Sequence, residues 1–238
     1  MHQLKSMSLN ELLSKAEQKY PLTFEPVKVG NLTIELAQIK DLENYLDQLA
    51  QTEDKIHLPF WAKIWPASIL LSHFLVKYLP LEREVQVLEI GAGLGICGLF
   101  LAKKGFKVVI SDIEEDALLF IQINVLKNNL SQNVSVRALD FTQTQSVLKA
   151  DYIVGSEVLY QEKYYRSQVK FFLNNLKPAQ KSEIILAQSY TRKASSFFKL
   201  AQKEFNIQQK TLGYKSQDNI DKEKFLANIY RLTPKKHV

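Results

Sequence analysis

One cysteine in 238 residues leaves this chain without an intramolecular disulfide or a cysteine-based zinc site. The four histidines add no metal-ligand spacing. His2 and His237 sit near the ends, and His57 and His73 pair with neither each other nor Cys97. No metal is expected. Long apolar runs are missing too, and none approaches the length of a membrane span. The segment Met1-His2-Gln3-Leu4-Lys5-Ser6 lacks the apolar region of a signal peptide. The expected location is cytoplasmic, with no membrane partner. Cys97 lies in an apolar stretch, where a small buried residue packs rather than reacts.

Massed charge of one sign is also absent. The formal net charge is +6, but the basic residues are scattered, the tightest pairs being Lys103-Lys104, Arg192-Lys193 and Lys235-Lys236. Scatter of this kind reads as a solvated basic surface rather than a nucleic-acid patch, and it is compatible with an acidic protein partner or substrate. No internal repeat or low-complexity segment occurs. A hydrophobic content of 46% supports a sizeable core, enough for one α/β domain with an N-terminal addition or for two small domains.

Glycine is scarce, with eight in the chain, yet three stand at alternate positions in Val87-Leu88-Glu89-Ile90-Gly91-Ala92-Gly93-Leu94-Gly95. An apolar run ends in an acid and the glycines, and a second apolar segment stops at Gly105. The pattern predicts a buried strand, a tight turn and a helix over 94–104. Glycines there take positive φ and let a ligand approach the backbone. Asp112 ends the next apolar run, 21 residues after Gly91, near the spacing of about 20 expected for a ribose-binding acid. These residues point to nucleotide binding without choosing the nucleotide. Gly93-Leu94-Gly95-Ile96-Cys97-Gly98 also satisfies the dinucleotide fingerprint G-x-G-x-x-G. In that reading Gly93 stands too late, because Gly91 already closes the strand, and Glu89 would repel a pyrophosphate.

The rest of the chain supplies a scaffold for this turn. Ser8-Leu9-Asn10-Glu11 is a capping box opening a helix over 8–19. Extended runs at 24–29 and 32–39, joined by Gly30-Asn31, read as a hairpin. Polar helix 41–51 follows, and Pro66 opens a helix ending at Tyr78. Strands are expected at 85–90, 107–111, 134–138, 152–156, 183–188, 205–212 and 225–232, with helices at 115–129, 162–176 and 193–203. Alternation of this kind predicts an α/β fold: a doubly wound, seven-stranded, mostly parallel sheet with an antiparallel hairpin at one edge. Residues 1–57 form a helical and hairpin extension, and 58–238 the main domain.

Three further segments sharpen the reading. Leu139-Asp140-Phe141 places an acid and an aromatic after the third strand of this alternation, where they either frame a purine or form a turn with a core Phe. Glu157-Val158-Leu159-Tyr160 follows the fourth strand. Trp65-Pro66 precedes the first strand, and Gln188-Ser189-Tyr190-Thr191-Arg192 with Phe197-Phe198 follow the fifth. The Glu-x-Gly-x-Gly-x-Gly pattern resembles the first motif of Rossmann-like S-adenosylmethionine (SAM) methyltransferases. Combined with Trp-Pro and acid-x-x-Tyr, it resembles their seven-β-strand protein-lysine branch over 58–231.

That resemblance implies SAM as cofactor and S-adenosylhomocysteine (SAH) as product. It implies that Glu89 holds the methionine ammonium, that Gly91, Gly93 and Gly95 lie against the cofactor, and that Asp112 binds the ribose. It further implies that Asp140 and Phe141 frame the adenine, and that Trp65 lines the pocket. Ile113 and Ser156, neighbours of Asp112 and Glu157, are counted with the cofactor site. Glu157 and Tyr160 would border the channel where an acceptor meets the methyl group. A lysine must lose its proton before attack, and a desolvated aromatic channel favours that loss. A carboxylate opposes it, so Glu157 is assigned to capture and orientation. The expected acceptor is a protein lysine, with a small-molecule amine as the alternative. A nucleic-acid base is disfavoured because Ser156-Glu157-Val158-Leu159 lacks the Pro-Pro-aromatic turn of such enzymes. An NAD-type protein is the reading from outside methyl transfer.

Overall fold

The computed structural model describes residues 2–52, 58–82, 85–146, 148–179, 181–215 and 224–235. His57, Lys236 and His237 lie outside these segments. A short α1 (His2–Ser6) precedes α2 (Leu9–Glu17). The capping box forms, with Ser8 N donating to Glu11 Oε2 at 2.7 Å and Glu11 N to Ser8 Oγ at 3.4 Å. Strands β1 (Leu22–Val29) and β2 (Leu32–Ile39) pair antiparallel in a separate two-stranded sheet, with Gly30 at φ +61. Next come α3 (Leu42–Thr52), a 3-10 turn at Phe60–Ala62 and α4 (Pro66–Tyr78).

From there strands and helices alternate as expected: β3 (Gln86–Glu89), α5 (Ile96–Lys104), β4 (Lys107–Asp112), α6 (Glu115–Lys127), β5 (Val134–Ala138) and β6 (Tyr152–Ser156). Then follow α7 (Tyr165–Asn175), β7 (Glu183–Ser189), α8 (Ser195–Ala201), β8 (Phe205–Lys215) and β9 (Lys224–Pro234). The seven-stranded sheet has the order β5-β4-β3-β6-β7-β9-β8. Five strands run parallel, and β9 pairs antiparallel with both β7 and β8. Strand order reverses between β3 and β6, the point where an open α/β sheet leaves a crevice at its strand ends.

Period-2 alternation divides the core. Val87, Ile110, Val154 and Ile185 face one cluster with α4, α5 and α6, while Leu88, Val109, Ile153 and Ile184 face another with α7 and α8. Buried on both faces, these strands read as continuous apolar runs. The helix expected from 94 starts at Ile96, because Gly95 takes a left-handed φ of +80 that a helix cannot contain. The helix expected from 41 starts at Leu42, because Asp41 has φ +48 and its Oδ1 accepts from Asn44 N at 3.3 Å. The helix expected from 162 opens instead as a 3-10 turn, Glu162–Tyr164.

The N-terminal segment shares the first core cluster, to which Leu12, Ile34 and Leu36 belong. Its hairpin is joined to α6 by two asparagines one turn apart. Asn124 Oδ1 accepts from Ala37 N at 2.6 Å, and its Nδ2 donates to Leu94 O at 3.3 Å. Asn128 Oδ1 accepts from Glu35 N at 2.9 Å and Nδ2 donates back to Glu35 O at 2.8 Å. Side-chain amides thus satisfy the free edge of β2 in place of a third strand. Asn124→Ala is expected to lower stability by on the order of 2–4 kcal/mol, since it leaves the buried groups at Ala37 and Leu94 unpaired. Urea unfolding monitored by circular dichroism measures the loss.

Candidate active site

The crevice at the β3–β6 switch is a cavity of about 450 Å³, within the range of roughly 300–1,000 Å³ of small-molecule sites. Its inner wall is the loop between β3 and α5. Gly91, Gly93 and Gly95 have φ of +54, +56 and +80, a conformation costly for any residue with a Cβ. At Gly93 space is also decisive, because a Cβ would lie 2.7 Å from the Trp61 carbonyl oxygen.

Two buried carboxylates hold this loop. Glu89, at the end of β3, lies beneath it, and Gly98 N donates to its Oε2 at 2.8 Å. Gly98 must be glycine, since a Cβ would stand 2.5 Å from that oxygen. Burial pushes the Glu89 carboxyl up to about 8 against the opposing first-turn amides of α5 at Gly98 and Cys97. Asp112, at the end of β4, reaches across: Gly93 N donates to Oδ2 at 2.8 Å, and Ile113 N and Glu114 N donate to Oδ1 at 2.7 and 3.1 Å.

Among the expected residues, Trp65, Gly91, Gly93, Asp112, Ile113, Phe141, Ser156, Glu157 and Tyr160 line the cavity together. Glu89, Gly95 and Asp140 do not line it. Glu89 is turned to the first-turn amides of α5. A Cβ at Gly95 would meet Ile110 and Ile121, so this glycine faces the core. Asp140 accepts from Thr142 N and Oγ1 at 2.8 and 2.6 Å and from Gln143 Nε2 at 3.1 Å, which is the geometry of a turn aspartate.

Glu157 is the outer pole of the site. Its backbone φ is +57, unusual for a residue with a long side chain. Ser189 N donates to its Oε1 at 2.6 Å. Its Oε2 lies 3.3 Å from Arg192 Nε as an ion pair, yet makes no hydrogen bond. The contact is therefore electrostatic, and Oε2 is a buried oxygen without a hydrogen bond. Burial raises the carboxyl above its ordinary range, opposed by the Ser189 amide and Arg192. The Arg192 guanidinium carbon is 5.7 Å from the Trp65 ring centroid, and Lys63 Nζ is 5.1 Å from it. Leu58, Phe60, Ile113 and Tyr160 give the mouth an exposed apolar rim, with Tyr160 at 59% exposure.

Glu114 and Arg192 were not singled out as site residues by the sequence, though both line the cavity. Glu114 carried a signal, a second acid two places beyond Asp112. Arg192 closes the segment 188–192 at the end of β7, but its partner Glu157 follows another strand and no spacing links them. The close approach of Trp61 to Gly93 had no sequence signal.

Residues 47–204 match a protein family described as lysine methyltransferase. The chain is 30% identical over 130 residues to a protein N-lysine methyltransferase of Xenopus tropicalis, covering 53% of this chain and 59% of that protein. It is 28% identical over 161 residues to a histone-arginine methyltransferase of Mus musculus, covering 65% and 58%. The chain thus spans a little over half the length of these curated relatives. In fold it is similar to a tRNA (uracil-54, C5)-methyltransferase of Pyrococcus abyssi in complex with SAH, with a TM-score of 0.56, 15% identity, and coverage of 88% of this chain and 44% of that one. The family match takes in more than half of the chain, which belongs to the lysine methyltransferase family.

The raised carboxyl of Glu89 has a measurable consequence. Between its ordinary value of 4.5 and about 8 the folded state retains a proton that the unfolded state releases. The contribution is complete below pH 4.5 and is lost as pH rises, at about 1.4 kcal/mol per pH unit. Glu89→Gln has no such proton. Urea unfolding across this interval is expected to show wild type losing stability relative to Glu89→Gln as pH rises. Parallel curves would show Glu89 ionised in the folded protein.

Proposed function

We propose that this member of the lysine methyltransferase family is a SAM-dependent enzyme that N-methylates a lysine side chain of a protein. The observation that carries the reading is Glu157: a buried carboxylate with one oxygen lacking a hydrogen bond, in the wall of a cavity whose other side is a left-handed glycine loop. A net charge of +6 favours an acidic protein as substrate. A cytoplasmic setting belongs to the same reading and agrees with a single buried free thiol.

The residues present fit the cofactor. Gly91 and Gly93 offer a bare backbone surface that a Cβ would fill. Asp112 and Glu114 suit ribose hydroxyls, and Phe141 and Ile113 offer apolar area to the adenine. Glu89 sets the loop from below, an indirect role toward the methionine end. Bound SAM supplies an electrophilic methyl group on a sulfonium.

The remaining work falls to the protein's own groups. Glu157 keeps Oε1 on the Ser189 amide, which fixes the carboxylate, and presents Oε2 to an acceptor ammonium. Trp65, Phe60 and Tyr160 exclude water around the acceptor, which lowers an amine pKa and favours the neutral nucleophile. Glu157 acts in the opposite sense, so it captures and orients the lysine. Tyr160 packs along the lysine stem at the mouth. Positioning an amine in line with a methyl group is itself a large part of the rate.

An arginine acceptor is the second reading, favoured by the likeness to a histone-arginine methyltransferase. A guanidinium binds carboxylates bidentately. Here one oxygen of Glu157 is already taken by Ser189 N, which leaves a single oxygen, better matched to an ammonium. A small-molecule amine would meet the same groups.

The test starts from binding. SAH, and not NAD, is expected to raise the melting temperature, and Gly93→Arg to abolish that shift. Labelled methyl from SAM is then followed into lysate of a strain lacking the gene, with Gly93→Arg as control. The acid hydrolysate is expected to contain methyllysine; methylarginine would install the second reading. Stabilisation by NAD alone would overturn both. Tyr160→Ala is expected to leave SAH affinity unchanged and to lower turnover about 10–100-fold, as misplaced acceptors do. Unchanged turnover would remove Tyr160 from the acceptor site.

A further inference from the structure

Beyond Glu157, a second and wider groove runs between α8 and the edge strands β8 and β9. Its charged walls are Arg192, Lys193, Lys199 and Lys235, and no carboxylate is among the described residues that line it. Phe198 and Tyr230 form part of its apolar surface, their ring centroids 4.1 Å apart. Tyr190, 54% exposed, also lines the groove, two residues before Arg192. Lys235 Nζ donates to Gln202 O at 2.6 Å. Among the described residues, Lys193 and Lys199 take part in no ion pair. A lone surface lysine is ordinary. Four cations in one groove with no acid among its described lining residues, beside the exposed Tyr190 and the half-buried Phe198, form a surface complementary to an anionic, partly apolar chain.

Arg192 belongs to both the groove and the active-site cavity. At rest it neutralises Glu157, with Nε 3.3 Å from Oε2. That is the same oxygen an acceptor ammonium needs. An incoming lysine therefore competes with Arg192, whose 43%-exposed side chain is then free to take a new anion. On its other side Arg192 opens onto the groove, where the only neighbouring formal charges among the lining residues are cations.

We infer that this groove docks an acidic segment of the protein substrate, and that a carboxylate of the segment takes Arg192 as the acceptor lysine takes Glu157. The inference rests on the lysine-methylation reading and adds the chemistry of the sequence around the target. The exchange swaps ion-pair partners, and no covalent bond changes. A lysine without a nearby acid leaves the guanidinium unpaired, so Arg192 selects for acidic context as well as guarding Glu157. Lys193 and Lys199 steer the segment, and Tyr190 and Phe198 receive its apolar side chains.

The test uses the full chain saturated with SAH and three fluorescein-labelled peptides. Each has a central lysine and the same apolar residues, with flanks of Asp and Glu, of Asn and Gln, or of Arg. The acidic peptide is expected to bind about tenfold more tightly than the neutral one, and the basic one least. Raising ionic strength is expected to shrink the difference. The double variant Lys193→Glu with Lys199→Glu is expected to weaken acidic-peptide binding about tenfold, with melting temperature and SAH affinity unchanged. Equal binding of the three peptides, or equal binding of the acidic one by the double variant, overturns the inference. Transfer assays separate it from the reading beneath. If lysines are methylated regardless of flanking charge, the groove falls and lysine methylation stands. If the acidic peptide binds through the groove but methyl reaches no lysine, the groove stands and lysine methylation falls.

Discussion

Much of this molecule is arranged around two carboxylates that hold a loop with almost no side chains of its own. Between Gly91 and Gly95 the backbone is left-handed three times, a state without regular hydrogen bonding. Its amides need partners that do not block its outer surface. Asp112 supplies one through Gly93 N, and Glu89, at the end of the adjacent parallel strand, fixes the start of α5 through Gly98 N. Burying Glu89 is costly, and its carboxyl responds by rising to about 8. The return is a loop fixed from below and from one side, bare toward the cavity. Glycine at 98 follows from the same arrangement, since Glu89 occupies the volume its Cβ would need.

The N-terminal segment contributes to that loop, although its first part lies outside the family match at residues 47–204. Asn124 on α6 donates to Leu94 O in the loop and accepts from Ala37 N in the hairpin. Tyr20, just after α2, donates to Asp116 at 2.6 Å and packs edge-on against Trp61 at 5.7 Å. Trp61 in turn places its carbonyl where a Cβ of Gly93 would fall. Helix, hairpin and loop are thus one mechanical unit. A change at the N-terminus can loosen the cavity without touching it.

How much of this was legible follows from the range of each interaction. Strand alternation and the glycine pattern are local, and the sheet, its edge hairpin and the position of the cavity follow from them. Residue types at strand ends were also legible, so Glu157, Tyr160, Asp112 and Trp65 meet in one place. Side-chain direction was not. Asp140 has the same address as a purine-binding acid, but Thr142 and Gln143 claim it at short range. Glu89 looks upward in sequence and downward in space, because the nearest unpaired donor is an amide of the following helix. Arg192 and the asparagines of α6 act across elements, where no spacing rule reaches.

The ion pair at Glu157 shows why such a cross-element contact belongs in this site. A channel that favours a neutral amine must be dry, and a dry channel penalises every charge within it. Burial raises the Glu157 carboxyl, and the Ser189 amide and Arg192 oppose that rise, Arg192 doing so at 3.3 Å without a hydrogen bond to Oε2. Without Arg192 the burial of Glu157 would raise its carboxyl further. Ser189 N holds the other oxygen and fixes the orientation of the carboxylate. Capture of a charged lysine and its deprotonation ask for opposite environments. In the proposed reading, a carboxylate whose cation is exchanged at the mouth, with an aromatic wall behind it, reconciles them by separating the two demands in space.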